Sequence, residues 1–92
     1  MALTGDHIIG EYEGHTIELV RDNWVKMLTL MIDGQKVASE SIALPHNVTL
    51  HATLVHQGVE HQVTAKSQID RMIFTKDSIE VDGIALEVRK TN

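Results

Sequence analysis

Hydrophobic and polar residues alternate with a period of two along most of the chain, which is typical of half-buried β-strands. No segment shows a sustained helical period of 3.6 residues with capping residues at its ends. A single glycine follows a polar residue between successive alternating runs, at Glu13-Gly14, Asp33-Gly34, Gln57-Gly58 and Asp82-Gly83. Two-residue hairpin loops favour glycine because their backbone requires a positive φ. The pattern therefore predicts a series of antiparallel hairpins.

Face parity tests each predicted turn, because residues opposite one another in an antiparallel pair point to the same face. A two-residue loop at Gln57-Gly58 places apolar residues on one face and polar residues on the other. The predicted opposite pairs are Leu54 with His61, Ala52 with Val63, Leu50 with Ala65, Gly10 with Ile17, Ile8 with Leu19, Leu30 with Val37, Val81 with Ile84 and Ile79 with Leu86. Lys76-Asp77 is a candidate for a fifth tight turn, and a slip in apolar phase between Val37 and Ile42 indicates a β-bulge.

The fold predicted for residues 1–92 is a single all-β domain, a small antiparallel meander of eight or nine short strands. The predicted strands span residues 7–12, 15–21, 25–32, 35–43, 47–56, 59–67, 70–75, 78–81 and 84–90, with irregular connections at 21–23, 44–47 and 67–70. Strands of this kind must each bury one face, and they do so in a sandwich or a closed barrel. The pattern leaves both architectures open.

Composition narrows the classes of function. The 92 residues include no cysteine, so a disulfide or a thiolate metal site is excluded and a reducing cytoplasm is the expected location. Residues 1–9 do not resemble a signal peptide, and no apolar run reaches the ~20 residues of a membrane helix, so no membrane partner is expected. A net charge of −5 and a single residue each of Trp, Tyr and Phe disfavour nucleic-acid binding.

Six histidines are the least usual feature of the composition. His56 and His61 are predicted to be diagonal neighbours on one face of a hairpin, with Cβ atoms about 7–8 Å apart. Zinc sites usually have three or four protein ligands, so two imidazoles alone do not predict a metal site. The serines, at positions 39, 41, 67 and 78, lie beside no base in the sequence and are expected to be solvent-facing strand residues. No catalytic residue and no cofactor is predicted.

The segment from Trp24 to Ile32 is apolar on both faces of a predicted strand. Even positions hold Leu28, Leu30 and Ile32, and odd positions hold Val25, Met27 and Met31. Such a strand is either covered on both sides or exposes an apolar patch. Methionine adapts well to partners and tryptophan is enriched among interface hot spots. Trp24, Met27 and Met31 are therefore the predicted partner-binding residues, most simply in a homodimer.

The passages HTIELV, residues 15–20, and LMIDGQKV, residues 30–37, resemble strand-hairpin passages of Fas apoptosis inhibitory molecule domains. The resemblance implies a β-sandwich and carries over no site residue.

Two functional hypotheses follow from the sequence. The first is a non-enzymatic module that contacts another protein, or itself, through a strand edge or the face from Trp24 to Met31. The alternative is a small enzyme or metal-dependent protein that uses the histidines with acidic residues.

Overall fold

A computed structural model describes residues 7–44, 46–70 and 74–91, and within these ranges the chain forms two antiparallel β-sheets and no helix. The strands are β1 (His7–Tyr12), β2 (His15–Asp22), β3 (Met27–Ile32), β4 (Gln35–Ser41), β5 (Val48–His56), β6 (Val59–Asp70), β7 (Phe74–Val81), β8 (Ile84–Ala85) and β9 (Val88–Lys90). One sheet has the order β4-β3-β2-β1-β9 and the other the order β5-β6-β7-β8. The all-β meander is confirmed, and of the two architectures it is the sandwich rather than a closed barrel.

Each of the four glycine turns adopts the predicted two-residue geometry. Glu13, Asp33, Gln57 and Asp82 have φ between 50° and 53°, and the glycine that follows each has φ between 77° and 83°. Two successive positive φ values define the type I′ turn, whose twist matches that of the flanking strands. The predicted registers around Gln57-Gly58 and Glu13-Gly14 are confirmed, for example Leu54 opposite His61 and Gly10 opposite Ile17.

The turn predicted at Lys76-Asp77 is wrong, because β7 runs without interruption through both residues. The predicted irregular connection at residues 67–70 is also wrong, since β6 continues to Asp70 and pairs with β7. Ser67 lies opposite Asp77, and each continues the core-facing phase of its strand. Polar residues at core-facing positions interrupted the hydrophobic pattern although the strands continue. Residues 71–73, between β6 and β7, lie outside the described residues.

The predicted strand 84–90 is two strands that belong to different sheets. β8 pairs with β7 through Val81 and Ile84 as predicted, but Ile84 is 73% exposed and does not extend the core. The chain then crosses to the five-stranded sheet, where Val88 of β9 lies opposite Gly10 of β1. A Cβ atom at Gly10 would lie 3.2 Å from side-chain atoms of both Leu86 and Val88, so a glycine suits this crossing.

The predicted bulge is confirmed on β4. Leu30 pairs with Ala38 and Met31 pairs with Lys36, so Val37 is the extra residue. The predicted pairing of Leu30 with Val37 is therefore wrong by one residue. The bulge moves Ala38 to the core side, where it packs against the buried cluster, and leaves Val37 exposed.

The core lies between the two sheets and is aliphatic. Its fully buried side chains include Ile17, Leu19, Leu28, Leu30, Val48, Val63 and Ile79. Burial of a side chain of this size contributes roughly 1.5–3 kcal/mol relative to its exposure. No helix of the described residues is long and apolar enough to cross a membrane.

Candidate interaction surfaces

One side of β5 is a sheet edge, because β5 is terminal in its sheet and, among the described residues, pairs as a strand only with β6. β4 of the other sheet packs close to β5. The type I′ turn makes His56 and Val59 a hydrogen-bonded pair, and such pairs alternate along an antiparallel ladder. The even-numbered residues of β5 therefore direct their backbone groups at β6. The odd-numbered residues direct N–H and C=O outward, and these residues are exposed: Thr49, His51, Thr53 and Val55.

The sequence and register of β5 lack the charges, proline and bulge that often protect a sheet edge. Its nine residues, VTLHATLVH, contain no lysine, arginine, aspartate, glutamate or proline, and the register with β6 is regular throughout. Long, flat and uncharged edges are templates for the addition of a strand from another chain. Threonine and valine, which favour extended backbone, occupy four of its positions.

The other three edges of the described sheets are protected. β4 carries the bulge at Val37 and the charged residues Lys36 and Glu40. β8 has two residues, and β9 has three, of which two are Arg89 and Lys90. Bulges, charges and shortness are the devices by which proteins prevent edge-to-edge pairing. Strand addition is therefore favoured at β5 over the other edges.

The predicted partner-binding residues lie on a different surface. The buried residues of β3 are Leu28, Leu30 and Ile32, so Met27 and Met31 are on the outer face of the five-stranded sheet and are half-buried there. The odd-numbered face of β3 therefore points away from the second sheet. Trp24 lies in the turn between β2 and β3, is 74% exposed, and its backbone N–H donates to Asp22 Oδ1 at 2.9 Å.

Histidines and carboxylates meet at the end of the sandwich that holds the glycine turns. His15 Nδ1 lies 2.7 Å from Asp33 Oδ2, while Asp33 Oδ1 accepts from the backbone N–H of Thr16 at 2.9 Å. The second sheet repeats this arrangement. His61 Nδ1 lies 2.6 Å from Asp82 Oδ2, and Asp82 Oδ1 accepts from the backbone N–H of Gln62 at 2.9 Å.

These hydrogen bonds stabilise the charged form of both carboxylates. The His15 side chain, and then the Thr16 backbone N–H, lower the pKa of Asp33. The His61 side chain, and then the Gln62 backbone N–H, lower the pKa of Asp82. In both places the aspartate at the first turn position also bonds the neighbouring strand, through the backbone N–H of Thr16 or of Gln62. We call this arrangement a hairpin clamp. Both aspartates precede a turn glycine, in IDGQKV at residues 32–37 and in VDGIAL at residues 81–86.

His56 and His61 are diagonal neighbours on one face, as predicted, since Leu54 lies opposite His61 and His56 lies opposite Val59. Their contacts diverge. His56 Nδ1 lies 3.2 Å from His15 Nε2, whereas His61 contacts Asp82 and the ring of Tyr12, with ring centroids 5.2 Å apart. No group of three or more histidine, aspartate or glutamate residues in the described part of the chain has the geometry of a metal site.

A buried polar cluster joins the two sheets nearer the opposite end. Arg21 Nη2 of β2 donates to Ser67 Oγ at 2.5 Å, to Thr75 Oγ1 at 3.1 Å and to Asp77 Oδ1 at 3.2 Å. The Arg21 and Asp77 side chains are 12% and 6% exposed. Ser67 is buried, so its assignment as a solvent-facing residue is wrong.

Sequence reasoning missed this cluster although a signal was present. Arg21 continues the core-facing phase of Ile17 and Leu19, and Asp77 continues that of Ile79 and Val81. Opposite charges at core-facing positions of separate strands indicate a buried ion pair. Ser67 bonds to a guanidinium, not to a base, so the cluster has no activated nucleophile among its contacts.

No protein-family model, no curated protein and no solved structure matches this chain. The resemblance to Fas apoptosis inhibitory molecule domains is confined to the two passages quoted above.

Proposed function

We propose that this domain is a non-enzymatic interaction module whose β5 edge accepts an extended strand from a protein partner. The observation that carries the proposal is the contrast among edges: β5 is long, regular and uncharged, while the other described edges are bulged, charged or short. The cytoplasmic location expected from the cysteine-free sequence is part of this proposal.

In strand addition, backbone hydrogen bonds supply the affinity and contacts of alternate side chains supply the specificity. The outward N–H and C=O groups of Thr49, His51, Thr53 and Val55 supply a ladder that any extended peptide can bond. On the core side, Leu50 and Leu54 favour apolar residues at alternate positions of the incoming strand. A nine-residue peptide with alternating apolar and polar residues fits this surface.

The histidine and carboxylate pairs support a structural role over the alternative of an enzyme or a metal-dependent protein. Asp33 and Asp82 use both carboxylate oxygens within the hairpin clamps. Their backbone N–H groups donate to the strands that they fix, Asp33 to Thr16 O and Asp82 to Gln62 O, each at 2.8 Å. These contacts account for the pairs without a substrate.

The experiment is a selection of binders from a displayed library of random nine-residue peptides against three variants and the wild type. Thr53→Pro removes an outward donor and leaves the β5–β6 ladder bonded. Thr53→Ala keeps the donor and is the matched control. We expect Thr53→Pro to weaken the selected peptides by about tenfold, the equivalent of ~1.4 kcal/mol, and Thr53→Ala to leave their affinity unchanged.

The third variant, Met27→Glu with Met31→Glu, tests the predicted methionine surface. Loss of binding in this variant, with Thr53→Pro binding normally, would move the function to the outer face of the five-stranded sheet and overturn the proposal. A library that yields no peptide sensitive to Thr53→Pro would overturn it as well. Far-ultraviolet circular dichroism of each variant verifies that the sheets are intact.

A further inference from the structure

We infer that the strand accepted at the β5 edge is β5 of a second copy of this chain. Two four-stranded sheets would then join across a two-fold axis into one continuous eight-stranded sheet. The inference rests on the proposed strand-accepting function and names its partner. It is carried by a property of β5 that a general acceptor does not need, namely that the strand is complementary to itself.

A two-fold interface requires that residue i meets residue j and that j meets i. With the axis at Ala52, all nine residues of β5 are paired, since Val48 meets His56 and Thr49 meets Val55. The same register sets Leu50 opposite Leu54 and His51 opposite Thr53. Odd-numbered residues thus meet odd-numbered residues, so the outward backbone groups of the two copies meet one another in hydrogen-bonded pairs.

The side chains fit this register on both faces. Leu50 and Leu54 are each 5% exposed, so the seam meets on the core side through apolar side chains that are already buried within each copy. Ala52 meets its own copy in a non-hydrogen-bonded pair, where Cα atoms approach to about 4.5 Å, and its small side chain suits that approach. On the outer face, the exposed Val55 packs against Thr49 of the other copy.

Charge favours the same seam. The chain carries a net charge of −5, so two copies repel each other at long range. β5 contains no acidic or basic residue other than its histidines, and its seam therefore joins two copies without opposing carboxylates. The edge at β4 lacks this property because Lys36, Glu40 and the bulge interrupt it.

The absence of cysteine permits a direct test of the register by disulfide formation. Ala52→Cys places a thiol on the axis, where the Cβ atoms of a directly opposite pair are about 4.5–5.5 Å apart and a disulfide forms with small adjustments. Thr49→Cys is the matched control. Its equivalent in the other copy lies six residues along the strand, about 20 Å away at the rise of an antiparallel strand.

Under mild oxidation we expect Ala52→Cys to form covalent dimers at least ~10-fold faster than Thr49→Cys, because pairing raises the effective concentration of the thiols. Addition of Thr53→Pro to Ala52→Cys should remove the advantage. Sedimentation equilibrium of the cysteine-free chain gives the second readout: dimers for wild type and Thr53→Ala, and folded monomers for Thr53→Pro.

A wild-type chain that stays monomeric at every concentration, with equal cross-linking of the two cysteine variants, would overturn the inference. If the peptide selection still yields binders sensitive to Thr53→Pro, that result leaves the strand-accepting function in place and shows that its partner is a different chain. Dimers of wild type that persist in Thr53→Pro but dissociate in Met27→Glu with Met31→Glu would also overturn it, in favour of the methionine surface.

Discussion

The two sheets are built on the same hairpin plan but differ at their long edges. Each sheet contains a type I′ turn at Asp-Gly and a histidine that bonds the turn aspartate, His15 with Asp33 and His61 with Asp82. The five-stranded sheet ends in β4, which is bulged and charged, whereas the four-stranded sheet ends in β5, which is regular and uncharged. Shared local chemistry therefore fixes the fold, and the unshared edge is the place where we propose that another chain binds.

The core-facing residue pairs of β2 with β3 also match those of β6 with β7, and each matched set of pairs forms one layer of the core. The match ends at the third layer. Ile17 opposite Ile32 corresponds to Val63 opposite Val81, and Leu19 opposite Leu30 corresponds to Ala65 opposite Ile79. In the next layer Arg21 lies opposite Leu28, and Ser67 lies opposite Asp77. Here the two halves depend on one another, because the cation comes from one sheet and its acceptors come from the other.

The largest effect is expected from a break in this shared layer. Asp77→Leu leaves the Arg21 guanidinium buried without its counterion, and we expect a loss of about 3–5 kcal/mol in the free energy of unfolding. The double variant Arg21→Leu with Asp77→Leu removes both charges from the layer and leaves Ser67 as its polar residue. It should recover most of that loss, because buried ion pairs are often replaced by apolar residues at little cost. Urea denaturation measures both values, and equal losses in the single and double variants would contradict the account.

A smaller effect, of similar size in the two sheets, is expected at the turn glycines. Gly34 and Gly83 have φ of 81° and 82°, and no atom lies within 4 Å of a Cβ placed at either. Gly34→Val and Gly83→Val should each lower the free energy of unfolding by roughly 1–3 kcal/mol, through backbone strain alone. Matching shifts in the denaturation midpoint would confirm the shared plan. An effect in one turn and none in the other would break the comparison.

The smallest effect concerns acid stability. The folded-state pKa values of Asp33 and Asp82 are lowered from 3.8, so each carboxylate stabilises the fold above about that pH, and the contribution is lost as the pH falls through the lower folded value. Asp33→Asn and Asp82→Asn should therefore flatten the fall in melting temperature on acidification below pH 3.8.

The control for acid stability is Glu87→Gln, which removes an exposed carboxylate outside the clamps. Its acid profile should follow that of the wild type. Asparagine variants with the wild-type slope would show that the histidine bonds do not stabilise the turns. Thermal melts followed by circular dichroism, in steps down from neutral pH, supply the profiles.

Local rules sufficed to predict much of this fold. The glycine turns and the registers at Gly10 and Leu54 follow from parity, because hairpin partners are close in sequence. The predicted match of Leu86 with Ile79 is confirmed, since the Leu86 N–H donates to Ile79 O at 2.9 Å. The transfer of β9 to the other sheet did not follow from parity, because Val88 pairs with Gly10, a residue far away in the sequence. Arg21 and Asp77 were missed because each is polar where its neighbours are apolar, and their pairing is 56 residues apart in sequence.

Much less of the candidate site could be predicted. The position of a strand at a sheet edge depends on the order of all strands, and sequence alternation does not report that order. The apolar odd-numbered face of β3 predicts a contact at Trp24, Met27 and Met31, whereas the sequence of β5 has no signal of a free edge apart from its lack of charge. The methionine surface remains a prediction alongside the edge.

The most direct test of the open edge is amide hydrogen exchange in β5, measured residue by residue by NMR from dilute to concentrated protein. We expect the amides of Leu50, Ala52 and Leu54, which are bonded to β6, to exchange slowly throughout. The outward amides of Thr49, His51, Thr53 and Val55 should exchange fast in dilute protein and become protected as the concentration rises or a selected peptide is added. Outward amides as protected as their neighbours at every concentration would contradict the open edge, and outward amides that no addition protects would contradict strand addition.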